Sequence, residues 1–443
     1  MQEHLARLQD PNPSVRMAAA VALGEMGEAA ATPEVLGALI QRLRKDEDGW
    51  VRYEAARALG EMGKAAATPE VIEALIQRLR EDEIPWVRQA VAWSLGWMGE
   101  AAATPEVIRA LTERLREDTA KYVRWVAAWA LGEMGTAAAR PEVLEALVQA
   151  LRKDESEYVR RTAAWALGMM GEAAATPEVI QALIQRLRED EAEGVRHAAA
   201  QALREMGPAA ATPEVLEALI QALQDRDSDV RYEAAGTLGE MGKAAARPEV
   251  LEALIQFLRE DEAWWVREAA AVALGEMGEA AATPEVLEAL IQALQDRDSD
   301  VRQKAAGTLG RLLPAHPEAL RNFLCTLTVP MTPQETQTLE EVFRDSPGAV
   351  PAVRALLSDP DPEVRSRAVQ ALGVVGEAAA TPEVVRDLLL RRLDEAPNVR
   401  TAALEVLRKL PVSPETISAV LRDIRGDEPE AAEATAWALE RLG

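Results

Sequence analysis

Apolar residues recur along this chain in two alternating helical registers. From Thr68, the apolar positions Val71, Ile72, Leu75, Ile76 and Leu79 fall at i, i+1, i+4, i+5 and i+8, the stripe of an amphipathic helix. Thr68 predicts its N-cap and Pro69 its first position, where a missing N–H is harmless. A charged loop follows at Glu81, Asp82 and Glu83. A second helix is predicted over 87–98 and closed by Gly99, with Ala101 to Ala103 as a small link to the next cap. Two antiparallel helices, each apolar on one face, cannot close a core alone, whereas stacked neighbours can.

The same unit returns along the chain. A Val-Arg dipeptide recurs with valine at 15, 51, 87, 123, 159, 195, 230, 266, 301, 364 and 399. The expected fold class is therefore all-α, an α-α superhelix of about twelve antiparallel helix pairs forming one continuous array. Regular repeats are expected over 1–311, a divergent pair over 312–351, and further repeats over 352–443. In the divergent part, 317–327 and 333–343 still predict helices, and Thr332 with Glu335 predicts a capping box. A last unit is expected near Ala431, where the dipeptide is lost.

The second-helix pattern V-R-x-x-A-A-x-x-L-G-x-M-G, as in Val51 to Gly63, resembles the HEAT repeat family, in particular phycobilisome-lyase-type HEAT-like repeats. An aspartate precedes the arginine by six residues, as in Asp46/Arg52, Asp82/Arg88 and Asp118/Arg124. The resemblance implies that these charges form a structural ladder linking successive units. It also implies that the second helices line the concave side of the array. Similar arrays occur as sensor regions of bacterial NACHT-type NTPases. This sequence has no phosphate-binding loop; GEMGK at 60–64 is too short and lacks the Ser or Thr.

The repeats also compare with one another. Within the second helix the Val-Arg pair, two alanines, the Leu-Gly pair and the methionine barely change. Positions −2, −1, +2, +3, +6 and +10 from the valine change freely; in one unit they are Gly49, Trp50, Tyr53, Glu54, Arg57 and Glu61. Thirteen of the fourteen Trp and Tyr residues occupy such positions: Trp50, Tyr53, Trp86, Trp93, Trp97, Tyr122, Trp125, Trp129, Tyr158, Trp165, Tyr232, Trp264 and Trp265. Other units place Gly194, Asp229 or Gln201 there. A position that accepts Asp, Gly and Trp is not a packed core position. The expectation is a variable aromatic face that binds a protein or peptide, with Arg57, Arg161 and His197 adding polar variety. The stretch from Trp50 to Trp165 is expected to form a near-continuous floor, with Tyr232, Trp264 and Trp265 as a second patch. Removing Trp93 and Trp129 is expected to leave stability nearly unchanged.

Composition narrows the alternatives. With 49 basic and 74 acidic residues, the net charge is −25. Such a chain repels nucleic acid and anionic lipid. No stretch has the length of a membrane span, and the N-terminus lacks a signal-peptide pattern. Cys325 is the single cysteine, so no internal disulfide forms and a cytoplasmic location is expected. Cys325 is expected to pack within a helix. The histidines, His4, His197 and His316, lie in distant units. No metal, cofactor or catalytic constellation is therefore expected. The family resemblance keeps a bilin or other flat small molecule as the alternative ligand. The chain starts late in the first helix of a unit, which suggests a larger chain or a partner on that edge.

Overall fold

The computed structural model describes residues 1–328, 331–344, 346, 348–423 and 436–437. Among the described residues the elements are α-helices and short 3-10 turns, with no strand. Packing divides the chain into two units, Met1–Met241 and Gly242–Gly443. The unit expected near Ala431 lies outside the described residues.

In the first unit each repeat is built as its sequence dictates. The helix Pro69–Glu81 starts with Thr68 Oγ1 accepting from the Val71 amide at 3.4 Å. Its apolar stripe, Val71, Ile72, Leu75 and Leu79, is buried. Asp82 ends it by turning extended, at φ −69° and ψ 126°. The second helix, Pro85–Met98, gives way at Gly99, whose φ of 56° is left-handed and free of strain only for glycine. A single 3-10 turn, Gly99–Ala102, then leads to the next cap, with Ala102 fully buried.

First helices pack against first helices and second helices against second helices, giving two layers. The second-helix layer is the tighter one, and the glycine of the Leu-Gly pair is the reason. A Cβ on Gly60 would lie 2.7 Å from Ser94 Cα, and one on Gly132 would lie 3.0 Å from Ala166 Cα. Any side chain there would push neighbouring backbones apart. Ser94 uses the approach to donate to the Ala56 carbonyl at 2.6 Å.

The second unit begins with regular repeats, including the second helices Trp264–Glu276 and Ser299–Leu312. The divergent pair is helical as expected, although its first helix stops early, at Pro317–Cys325. The second, Pro333–Phe343, carries the full Thr332/Glu335 capping box. Phe323 and Phe343, both buried, meet edge to face at 6.4 Å. The short helix Ala349–Ala355 then pairs with Pro362–Val375 to resume the repeat.

Candidate binding face

The second helices position the thirteen aromatics, and none of the thirteen is buried. Trp50, Trp86, Trp97, Tyr158, Tyr232 and Trp264 are exposed, Trp50 by 55%. Tyr53, Trp93, Tyr122, Trp125, Trp129, Trp165 and Trp265 are half-buried.

Two ring clusters form in the first unit. Trp50 stacks on Trp86 of the next repeat at 5.6 Å and 23°, with Tyr53 edge-on to Trp50 at 5.7 Å. Trp93 lies parallel to Trp97 at 6.3 Å and meets Trp125 of the next repeat edge-on at 5.9 Å. Beyond them the Arg161 guanidinium sits 5.6 Å over the Tyr158 ring. A hollow of about 80 Å³ opens there, between Tyr158, Arg161 and Gly194. It falls where the row of aromatics at position −1 is interrupted by glycine. Trp264 and Trp265, in the second unit, form their own edge-to-face pair at 5.8 Å.

Part of this face serves packing as well. The Trp97, Trp129 and Trp165 rings sit where side chains on Gly60, Gly96 and Gly132 of the preceding repeats would go. Removing Trp129 therefore opens a void, contrary to the expectation that stability would be unchanged. Arg57 is not a free cation either. Its Nε and Nη1 each bind a carboxylate at 2.6 Å, those of Glu54 and Glu61. His197 lies 3.7 Å from the buried Glu233. Glu233 Oε1 is 3.2 Å from Arg204 Nη1 but accepts no hydrogen bond. Burial pushes the Glu233 carboxyl up, against the pull of Arg204 and His197.

Sequence comparison within the repeats missed one signal. Arg204 stands where the other second helices of the first unit carry the packing glycine, and the next repeat answers it with Gly236 in the tryptophan position. A Cβ on Gly236 would come to 3.9 Å from Arg204 Nη1. Large-against-small exchange between neighbouring repeats marks positions in contact.

The charged residues form a ladder whose links run forward. Arg52 donates from Nε and Nη2 to the two oxygens of Asp82 in the next repeat, at 2.7 and 3.0 Å. Its Nη1 donates to the backbone carbonyl of its own Asp46 at 2.9 Å. Arg88 joins Asp118, and Arg124 joins Asp154, in the same bidentate way. Each aspartate also accepts the amide two residues on, as Asp82 does from Ile84 at 3.1 Å. For Asp46, burial raises the carboxyl, yet Arg16 and the Asp48 amide outweigh it and hold it below the usual range. Each of these rungs joins one repeat to the next.

Cys325 is exposed at the end of its helix, not packed as expected. Among the described residues, no group of three His, Cys, Asp or Glu side chains could hold a metal ion. No described helix is long and apolar enough to cross a membrane.

Comparison with known proteins agrees with this architecture. A family profile described as HEAT repeats matches residues 36–132, 108–204, 180–275, 216–306, 251–328 and 336–408. A second, described as HEAT repeat, matches residues 3–30. No curated protein matches the chain. Among solved structures, an engineered protein is similar at 22% identity and a TM-score of 0.50, over 84% of this chain and 98% of that one. Importin beta is similar at 16% identity and a TM-score of 0.54, over 100% of this chain and 71% of that one. A mutant of Kap121p is similar at 16% identity and a TM-score of 0.54, over 99% of this chain and 54% of that one. These likenesses concern the fold. With its paired helices, capped period and forward ladder, and with profile matches over most of its length, the chain belongs to the HEAT repeat family and has its α-solenoid fold.

Proposed function

We propose that the chain is a binding scaffold, and that the second-helix face from Trp50 to Trp165 holds a segment of a protein or peptide. The observation that carries this is the ring surface itself: aromatics at positions free to vary, none of them buried, in ring contact across successive repeats. Large rings already held by their neighbours lose little entropy on binding. The Glu54, Glu61, Glu133 and Glu157 carboxylates on the same helices, with the net charge of −25, favour a neutral or basic partner over an acidic one.

A bilin or similar flat molecule is the less favoured occupant. It would need to slide between rings, and the stacked pairs are already 5.6 and 6.3 Å apart. A nucleic acid would meet charge repulsion along the whole chain. A sensor region within a larger defence NTPase is compatible with the same face, since such a region would also work by binding.

Capture of partners by the immobilised chain from a lysate of its source, compared with a Trp50→Ala, Trp86→Ala, Tyr158→Ala variant, tests the reading. The proposal expects a saturable protein partner that the variant loses. Equal capture by both chains, or a visible-wavelength chromophore copurifying with the wild type alone, would contradict it.

A further inference from the structure

In the second unit, Arg267 fills its fork with the next aspartate, Asp296, at 2.8 and 2.7 Å, and Arg365 does the same with Asp394. Arg302 departs from this. Its Nη1 donates to the Asp296 carbonyl at 2.7 Å, the equivalent of one of the two backbone carbonyls that hold Arg267 and Arg365. Its remaining edge, which elsewhere grips a carboxylate, meets none among the described residues. The register explains why. The ladder aspartate stands three residues before the second helix, as Asp46 stands before Gly49; three residues before Pro333 the sequence has Pro330. The next ladder aspartate, Asp359, is taken by Arg321 at 2.9 Å.

The anchored guanidinium opens onto a cavity of about 380 Å³ between the helices Ser299–Leu312 and Pro333–Phe343. Ser299, Gln334, Gln337 and Thr338 line it. Gln337 already donates to Glu341, and Thr338 to the Gln334 carbonyl, at 3.0 Å each. Ser299 and the Gln334 amide line the same cavity as Arg302 and are left as donors there.

We propose that this cavity is a carboxylate-binding site, in which a ligand's carboxylate takes the place of the missing rung against Arg302. A planar fork held by its own backbone anchor is the arrangement that recognises a carboxylate through two parallel hydrogen bonds. Asp300 and Glu341 also line the cavity. Their charge penalises a dianion more than a monoanion, so the site selects carboxylate over phosphate. The carboxylate comes from a small free acid or from an acidic residue of a peptide. The site is separate from the aromatic face and does not depend on its function.

The test follows the Nε–H resonance of Arg302 in the full chain, isotope-labelled at arginine and assigned by its loss in Arg302→Lys. It is titrated at constant ionic strength with acetate, with N-acetyl-aspartate methylamide, and with phosphate. A saturable shift of this resonance with the carboxylates, and none at the ladder arginines, is expected. Similar affinity for acetate and the aspartyl probe assigns a small acid; a preference of about tenfold or more for the aspartyl probe assigns a peptide side chain. Gln334→Glu places a carboxylate inside the cavity with Arg302 intact. It should keep the fold and abolish the shift. No saturable shift with either carboxylate, a stronger response to phosphate, or undiminished acetate binding in folded Gln334→Glu would overturn the proposal.

Discussion

The indole of Trp129 fills the space that a side chain on Gly96 of the preceding repeat would occupy. The same relationship joins Trp165 to Gly132, and it inverts where Arg204 faces Gly236. The aromatic face is thus keyed into the helix layer beneath it. Gly96→Ala should displace the Trp129 ring and cost about 1–3 kcal/mol of stability. Urea unfolding of Gly96→Ala, Trp129→Ala and the double variant checks this. The two changes should be strongly non-additive, because the alanine costs little once the ring is gone.

Exposed and keyed rings separate in stability. Trp50→Ala and Trp86→Ala, which remove exposed rings not lodged over a glycine of the preceding repeat, should shift stability by no more than about 0.5 kcal/mol. Trp129→Ala leaves a void over Gly96 and should cost about 3 kcal/mol. Unfolding midpoints of the three variants, measured side by side, decide whether the rings form one class or two.

Breaking a rung costs more than replacing it. The Asp118 side chain is fully buried, and Arg88 meets it with two bonds at 2.7 and 2.8 Å. Arg88→Met alone strands a buried carboxylate and should cost about 3–5 kcal/mol. Arg88→Met with Asp118→Leu should cost less than either single change. A double-mutant cycle in denaturant reads the coupling directly.

The ladder makes the protein acid-sensitive. Asp46, Asp190, Asp225, Asp296 and Asp394 are all held below the usual carboxylate range; burial opposes this, and the arginine and backbone donors prevail. Their contribution is fully present above the unfolded pKa of about 3.9 and is lost as pH falls through the lower folded values. Glu335, lowered to about 2, likewise loses its contribution only as pH falls toward that value. Glu233, raised by burial, has the opposite sign: its contribution is present below the unfolded pKa and is lost as pH rises through the raised value. Melting curves from neutral pH down to about pH 2 should show the loss setting in as pH falls through the ordinary carboxylate range and continuing toward the lower folded values. Asp46→Asn should be less stable at neutral pH and show a shallower acid dependence than wild type.

The repeat, its caps and its layers were legible because each rests on local chemistry. Thr68 before Pro69 and Gly99 after Met98 mark helix ends in any context. The direction of the ladder was not legible from spacing. Where the period is 36, an arginine six residues after one aspartate is always 30 residues before the next, so Arg52 stands in fixed register with both Asp46 and Asp82. Only the geometry assigns the Asp46 carbonyl to one edge of the guanidinium and the Asp82 carboxylate to the other. The half-burial of Trp129 was missed for a related reason. Variation between repeats marks a position as replaceable, yet here the replacement is matched in the neighbouring repeat, as Arg204 and Gly236 show. Arg57 looked like a free polar contact because its partners, Glu54 and Glu61, were read only as members of the variable face.

The central claim is that the exposed rings bind a partner while the keyed rings hold the layer. It is tested most directly by quantitative capture with wild type, the Trp50→Ala, Trp86→Ala, Tyr158→Ala variant, and a matched variant altered on the first helices at Glu73, Arg109 and Glu145, all with melting curves recorded. The account predicts that the ring variant keeps its melting temperature and loses the partner by about thirtyfold or more, the size of one hot-spot residue of about 2 kcal/mol. The first-helix variant should keep both. Full capture by the folded ring variant, or equal loss in the first-helix variant, would contradict it.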